Sequence, residues 1–387
     1  MPSLMRLPRI LIITGEASGD LHGANLAAAL KAQAPDLAIL GVGGACMRAA
    51  GVDLVQDIGH LDVIGLIGPS AVQTLARRIL TIRRILRQRS LDLVVLIDNP
   101  GLNFHFARIA KQAGLRVVYY IAPQIWAWRP RRMRWMQRRV DHVLVVLPFE
   151  EELYRQAGVP CTFVGHPLMD DVAASYDREK IRAAYGLPRE ACVLGLLPGS
   201  RTREVKDLLP VFLKAARLLQ QEGRPIRLIL AVADTVNQEA IKRACDEAGL
   251  DVRLVPRDPN GVMAAADLLF IASGTATLQA AIIGTPMVIA YKVPWFTYLL
   301  GRLLVRVRSI GLANIIAGRP FIPELIQRQA TPTRLAEEAK RILDDASCRE
   351  RMRAEMARVR MLLGLPGASA RAAAVVLEQL HRREAGV

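Results

Sequence analysis

Aromatic residues make up only 5% of this 387-residue chain, and its five cysteines (Cys46, Cys161, Cys192, Cys245, Cys348) are widely scattered. No two cysteines fall at a Cys-x-x-Cys spacing, which argues against a zinc ribbon or a dithiol redox motif. An odd, dispersed set instead fits a reducing compartment and buried structural thiols. There is no GxxxxGK[ST] stretch, so a P-loop NTPase is not expected. HExxH and GxSxG are also missing, which sets aside the common zinc peptidases and the nucleophile-elbow hydrolases. No Asp-x-Asp occurs, leaving no obvious carboxylates to hold a metal against a nucleotide diphosphate, and neither a metal nor a cofactor is expected. GVGGAC (41–46) falls short of a dinucleotide fingerprint. The opening MPSLMRLPRI lacks an apolar core and a cleavage site, so a signal peptide is not expected. The longest run without charge, Leu268 to Tyr291, could span a bilayer by count. It contains Ser273-Gly274-Thr275 and Gly284-Thr285-Pro286, however, which read as turns between short buried elements.

What the chain does have is an unusual pairing of oil and charge. Hydrophobic residues reach 52%, while 52 Lys+Arg against 36 Asp+Glu give a net charge of +16. That much Leu, Ile and Val excludes disorder, and the length predicts two domains. The charge is spread evenly: residues 1–165 hold 20 basic and 12 acidic side chains, the remainder 32 and 24. It is therefore no basic tail.

Short β-branched runs alternate with helix-length sequence. RILIIT (9–14), LAIL (37–40), DLVVLID (92–98), RVVYYI (116–121), HVLVV (142–146) and CTFVG (161–165) form one series. CVLGLLP (192–198), RLILAV (227–232), DVRLV (251–255), DLLFIA (267–272) and PMVIA (286–290) form a second. Runs that are continuous rather than alternating predict parallel strands covered on both faces. The expected fold is α/β, with two Rossmann-like doubly wound domains and a C-terminal helical segment. Boundaries are expected at 1–170, a linker and helix over 171–190, a second domain over 191–330, and helices over 331–387. Ligands in such sheets sit beyond the carboxyl ends of the strands.

Three strand-end loops, and a fourth that matches the last of them, carry the chemistry. In TGEASGDLHG (14–23), glycines allow close backbone approach, Asp20 could cap the following helix, and Glu16 and His22 exceed what a turn needs. In LIDNPGLNFHFA (96–107), Asp98 ends a strand of apolar residues. It is either a helix cap or a carboxylate whose partial burial raises its pKa and suits it to general-base work. In LLPGSRTREV (196–205), Gly199, Ser200 and Arg201 offer backbone N–H groups and a cation at a helix start, an arrangement suited to phosphate. IASGTATLQAA (271–281) repeats the device with Ser273, Gly274, Thr275 and Thr277, and two such loops in one domain favour a diphosphate site. His166 and Asp171 have the His-x4-Asp spacing of some acyltransferases, a poor match here because Pro167 follows the histidine.

Two segments concentrate arginine. Residues 77–89 contain Arg77, Arg78, Arg83, Arg84, Arg87 and Arg89 without an acid, around an apolar stripe of Val72, Leu75, Ile79, Ile82 and Leu86. Just before lie Ile64, Leu66 and Ile67 in a stretch free of charge. This is either an interfacial helix on anionic lipid or a core-packed helix with a solvated basic face. Residues 129–139 hold six more arginines, with Trp126, Trp128 and Trp135 nearby, which suits a headgroup interface or nucleic-acid stacking. A nucleic-acid binder would explain the charge, but not the phosphate-type loops or the apolar stripe, so no nucleic-acid partner is expected. The oily 294–305 stretch fits an acyl-chain site, a membrane contact or the subunit interface of a homodimer.

Taken in order, TGEASGDLHG, IDNPGLNF, IWAWRPRR (125–132), VGHPLMD (164–170), LLPGSR, SGTATLQA and NIIAGRPFIPELIQ (314–327) make the chain resemble the lipid-A-disaccharide synthase family, two-domain glycosyltransferases of GT-B fold. The resemblance runs nearly end to end and implies a specific reaction. UDP-2,3-diacylglucosamine would be the donor and 2,3-diacylglucosamine 1-phosphate the acceptor, giving the β-1,6 disaccharide 1-phosphate and UDP. It also implies a peripheral protein at the inner face of a Gram-negative inner membrane, with an anionic membrane surface as partner. By resemblance, Asp98 would be catalytic together with Glu16, and His22 and Asn103 would lie on the acceptor side. Ile64, Leu66, Ile67, Arg77, Arg78, Arg84, Trp126 and Trp128 would belong to the acceptor or membrane face. Asn314, Glu324 and Gln327 would line the donor site along with the two phosphate loops. Many GT-B enzymes carry a ribose-binding Glu where this chain has Gln279, whose amide can still bond a hydroxyl. A UDP-sugar 2-epimerase would share the fold, but it would need no oily, basic surface.

Overall fold

A computed structural model describes residues 7–57, 79–87, 91–123, 133–293 and 309–384. The chain divides into two compact units, Met1–Asp170 with Leu363–Val387, and Asp171–Leu362.

The first unit is built on a seven-stranded sheet. In chain order its strands are β1 (Arg9–Ile13), β2 (Ala38–Gly43), β3 (Asp53–Asp57), β4 (Leu93–Ile97), β5 (Arg116–Tyr120), β6 (His142–Val145) and β7 (Cys161–Phe163). Their spatial order is β3-β2-β1-β4-β5-β6-β7, and the pairings are parallel. All five residues of β4 are buried, as expected of a central strand covered on both faces. The second unit has six strands: β8 (Cys192–Leu197), β9 (Ile226–Val232), β10 (Val252–Pro256), β11 (Leu268–Ala272), β12 (Met287–Tyr291) and β13 (Glu324–Ile326). They are ordered β10-β9-β8-β11-β12-β13, again in parallel.

The expected strands are present, with ends that move by a residue or two. Two further strands escape the apolar pattern, β3 and β13. Both lie at sheet edges, where one side carries no neighbour and polar residues are tolerated, so no continuous apolar run marks them. The 268–291 run folds as β11, the helix Thr275–Ile283 and β12. Among the described residues no helix is long and apolar enough to cross a membrane. The cysteines divide: Cys245 and Cys348 are buried, whereas Cys46 is exposed and Cys161 and Cys192 are partly covered. The expectation of buried thiols therefore holds for two of the five.

The C-terminal helices are shared between the units. Pro332–Asp344 and Ala346–Leu362 lie in the second, while Ala368–Glu384 lies in the first and packs on the helix Ala17–Gln33. Asp170 fixes it there, because its carboxylate accepts from the N–H groups of Gly367 (2.5 Å), Ala368 (3.2 Å) and Ser369 (3.1 Å). A carboxylate at a helix N-terminus satisfies otherwise orphaned donors and complements the dipole.

Asp20 does the same for a different helix than expected. The helix following β1 already starts at Ala17, so Asp20 sits inside it and cannot be its cap. Its buried carboxylate instead accepts from Gly44 N (2.6 Å), Cys46 N (2.9 Å) and Met47 N (3.2 Å), capping the helix Ala45–Ala49. Gly44 of GVGGAC follows from this clamp, since a Cβ there would stand 2.8 Å from Asp20 Oδ2.

Asp20→Ala strands three N–H groups, two of them in buried bonds. A loss of about 2 kcal/mol or more is expected for charge-assisted bonds. Urea unfolding monitored by circular dichroism measures it, and an unchanged midpoint would dismiss the clamp.

Candidate functional site

In each sheet the order reverses between two adjacent strands, β1 and β4 in the first unit and β8 and β11 in the second. The helices after such a pair lie on opposite faces, and their loops open a crevice at the strand ends. All four polar loops singled out from the sequence follow these strands.

In the first unit the β1 and β4 loops touch. A Cβ on Gly15 would lie 2.0 Å from Asn99 Nδ2, so a larger residue there would have to displace the Asn99 side chain. Glu16, exposed, occupies the N-cap position of Ala17–Gln33 without a side-chain capping bond. Asp98 and Asn99 both adopt left-handed backbone (φ 48° and 39°), a conformation Asp and Asn tolerate better than most residues. Asn99, not Asp98, caps the helix Pro100–Gln112, accepting from Leu102 N at 3.4 Å. Asp98 is left to face its surroundings. Burial, reinforced by the charge of Glu16, holds its carboxyl above the usual range, against an opposing hydrogen bond from the Asn99 backbone. Its main chain is pinned from below, because its carbonyl accepts from Tyr119 Oη (2.6 Å) and Asn103 Nδ2 (2.8 Å). Asn103 is buried, with its amide also donating to Ile97 O. It positions the loop rather than presenting its amide outward.

Two histidines accompany this site. Burial lowers His22 to about 4, and its Nδ1 is buried without a hydrogen-bond partner. His166 is lowered to about 3, by burial first and by His22 second. His166 Nδ1 accepts from Leu168 N at 3.2 Å, so the His-x4-Asp pattern serves local structure. His166 joins His22 across 144 residues of chain, a proximity no local motif encodes.

In the second unit the β8 and β11 loops line a cavity of about 470 Å³, within the range of small-molecule sites. Gly199, Ser200, Arg201, Ser273, Gly274, Thr275 and Gln279 all line it, joined by Glu204, Asp234 and Arg257. Gly199 has φ +118°, which favours glycine. Gly274 caps Thr275–Ile283, whose first turn therefore opens at the cavity. Thr277 is buried, with Oγ1 donating to Gly274 O at 2.7 Å, and supports this turn from beneath. Glu204 was not apparent as a site residue in the sequence. Its carboxylate accepts from Ser200 N (3.2 Å), Arg201 N (3.3 Å) and Arg201 Nη1 (3.1 Å), the same donors that suit a phosphate.

Asn314, Glu324 and Gln327 are not among the residues lining that cavity. The Glu324 carboxylate accepts from Ile310 N, Gly311 N and Asn314 Nδ2. Asn314 is buried and also bonds Phe321 and Ile322. Gln327 bonds both backbone groups of Val293. The three brace the chain around β13.

Ile64, Leu66, Ile67, Arg77, Arg78, Trp126 and Trp128 lie outside the described residues. Residues 79–87 are helical, with Ile82 and Leu86 in the core of the first unit and Arg83, Arg84 and Arg87 exposed. The described part, 79–87, thus packs an apolar side on the core and turns a basic side outward. Trp135 packs on Phe104 (ring centroids 4.2 Å apart), with the Arg139 guanidinium 4.6 Å above it.

The buried neutral histidines carry a pH signature. The unfolded chain takes up protons on them below about 6.5, whereas the folded protein resists until about 4 and 3. The unfolded state thus binds more protons in this window, and stability falls as pH drops from about 6.5 toward 4. The slope is up to about 1.4 kcal/mol per pH unit for each histidine. His22→Gln should flatten that slope in urea melts at stepped pH, and an unaltered slope would locate the effect elsewhere.

Comparison with known proteins converges on one group. Residues 10–377 match the lipid-A-disaccharide synthetase family. Lipid-A-disaccharide synthases of Syntrophus aciditrophicus and Geobacter metallireducens are each 44% identical, over 97% of this chain and 98% of theirs. That of Myxococcus xanthus is 41% identical over 96% and 98%. Among solved structures, the calicheamicin glycosyltransferase (TM-score 0.61, 18% identity, 98% of this chain and 99% of that one) has the same GT-B fold. So does the Neisseria meningitidis UDP-GlcNAc 2-epimerase (0.64, 12%, 97% and 100%), and at such identities the likeness concerns fold alone. With the match spanning nearly the whole chain, the protein belongs to the lipid-A-disaccharide synthetase family and is a glycosyltransferase of lipid A disaccharide synthesis.

Proposed function

We propose that the chain condenses UDP-2,3-diacylglucosamine with 2,3-diacylglucosamine 1-phosphate, releasing UDP and the β-1,6 disaccharide 1-phosphate, with Asp98 as general base. The observation that carries the catalytic assignment is Asp98 itself. It is a carboxylate at the β1/β4 crevice, with its backbone pinned and its pKa raised by burial and by Glu16. A raised pKa makes a carboxylate a better proton acceptor while leaving it ionised near neutrality. In an inverting transfer Asp98 takes the proton of the acceptor 6-hydroxyl as that oxygen attacks the anomeric carbon, and the bond to UDP breaks. Glu16 tunes Asp98 through its charge.

The departing diphosphate needs donors rather than a second base. Ser200 N, Arg201 N, the Arg201 guanidinium and the first turn of Thr275–Ile283 supply them, and such fixed dipoles stabilise developing charge without reorganising. The nucleotide enters by displacing the Glu204 carboxylate from the same donors. Gln279 lines the same cavity, and its amide bonds a hydroxyl of the donor in this reading.

The enzyme works as a peripheral protein on the cytoplasmic side of an anionic inner membrane. On the helix at 79–87, Leu80, Arg83, Arg84 and Arg87 recur at one-face spacing, all exposed. One apolar side chain amid three arginines suits an anionic headgroup layer.

A turnover assay with both diacylated substrates, read by mass spectrometry, tests the two roles together. Asp98→Asn should lower kcat by about 10²–10⁴-fold and remove the acid limb of the pH profile, which lies above the ordinary carboxylate range. Arg201→Ala should weaken UDP binding by roughly tenfold or more, the loss of one charge-assisted bond. Near-normal turnover in the first variant, or unchanged UDP affinity in the second, would end that assignment. For the membrane face, replacing Arg83, Arg84 and Arg87 together by Glu should release the protein from phosphatidylglycerol vesicles in flotation; retention would place the contact on another surface.

A further inference from the structure

A second, smaller cavity of about 210 Å³ lies in the second unit, lined by Ser175, Arg178, Gly284, Thr285, Arg353 and Arg360 among others. It shares no residue with the β8/β11 cavity. Three of its walls are guanidinium groups, and among the described residues no carboxylate lines it. From the geometry we infer that this cavity is a binding site for a phosphate-class oxyanion.

The charge balance supports this. Arg178 pairs with Asp267, but that carboxylate is shared with buried Arg182 at 2.8 Å and also accepts from Val193 N at 2.7 Å. The Nε of Arg178 is buried and has no acceptor. An unmet buried N–H of a charged group is costly and calls for a partner. Arg360 is held in place by Ile282 O (3.3 Å) and Ala174 O (3.1 Å). These carbonyls orient its guanidinium without neutralising it. Arg353 lies seven residues earlier on the same helix, Ala346–Leu362, hence on the same face. It is exposed and makes no hydrogen bond or ion pair among the described residues. Glu179, next to Arg178 in sequence, pairs with Arg189, and Glu355, two residues after Arg353, pairs with Arg319. The site therefore carries more guanidinium than carboxylate charge, with the forks of Arg178 and Arg360 held in place, an arrangement that favours phosphate over a simple counterion.

Size narrows the ligand. The cavity is smaller than the usual range for small-molecule sites, about 300–1,000 Å³, and less than half the volume of the β8/β11 cavity. It suits a single phosphate group, free or as the headgroup of a lipid or sugar phosphate, and not a whole sugar nucleotide. Its walls come from segments beside both passages of the chain between the units: Ser175 and Arg178 follow Asp170 closely, and Arg360 precedes Leu363.

The inference is independent of the donor site, and the test keeps them apart. Inorganic phosphate is titrated into the full-length protein saturated with UDP, and separately into Arg201→Ala, by calorimetry and by NMR of the arginine Nε–H groups. Binding should persist in both. The Arg178 Nε–H resonance should move on saturation. Arg353→Ala, which removes an exposed side chain, should weaken phosphate binding by roughly tenfold or more. Unchanged affinity in Arg353→Ala, or an Arg178 resonance that ignores phosphate, would overturn the proposal. Phosphatidic acid and phosphatidylcholine vesicles then assign the source. Competition by phosphatidic acid alone, lost in Arg353→Ala, supports the site and identifies a lipid headgroup. Absence of competition beside retained binding of free phosphate supports it and identifies a soluble ligand.

Discussion

Everything chemical in this protein depends on two pairs of neighbouring parallel strands whose onward helices leave on opposite faces. At β1/β4 and at β8/β11 the sheet cannot be covered from one side, so a crevice opens where the strands end. The physical constraint is one of packing: strands this apolar must be covered on both faces, and right-handed crossovers fix where each helix goes. Glu16 and Asp98 are brought together only because β1 and β4 are adjacent. The Gly199–Arg201 and Ser273–Thr275 loops converge for the same reason at β8 and β11.

This explains what could be read from the sequence and what could not. A central strand such as Leu93–Ile97 is buried throughout, so its continuous apolar run announces itself, and the polar residue that ends it stands out. The loops that carry Asp98 and the phosphate-type donors were legible because they break such runs. The edge strand Asp53–Asp57 was not, since it is only partly covered and its polar residues cost little. Long-range polar clamps were also hidden. Asp20 looks like a cap for its own helix, yet its acceptor oxygens serve donors 24 to 27 residues away. Asn314, Glu324 and Gln327 sit in a motif that reads as ligand-binding, while their side chains brace backbone around β13. Motif membership does not distinguish a residue that touches a ligand from one that holds the loop in place.

Carboxylates do two opposite jobs here. Asp20, which is buried, satisfies a helix N-terminus inside the fold and makes a fixed joint. Glu204 satisfies equivalent donors at the mouth of a cavity, where its side chain is still 23% exposed. The chemistry of the bonds is alike, but the accessibility is not. In the proposed reading a helix start at a binding site thus need not stand with unmet N–H groups between turnovers, and an incoming diphosphate would exchange one anion for another rather than fill an electrostatic void. That exchange moderates affinity, which favours release of the nucleotide product.

The final helix, Ala368–Glu384, belongs to the first unit although the whole second unit precedes it. In topological terms the second unit is an insertion, with its entire sequence continuous from Asp171 to Leu362. During synthesis the usual order of domain completion is therefore reversed. The later unit has all its residues in hand while the earlier one still waits for the helix that covers Ala17–Gln33 and for the N–H groups that Asp170 binds. Until those last residues emerge, the sheet bearing Asp98 has one flank uncovered. The unit that begins first is the one that finishes last.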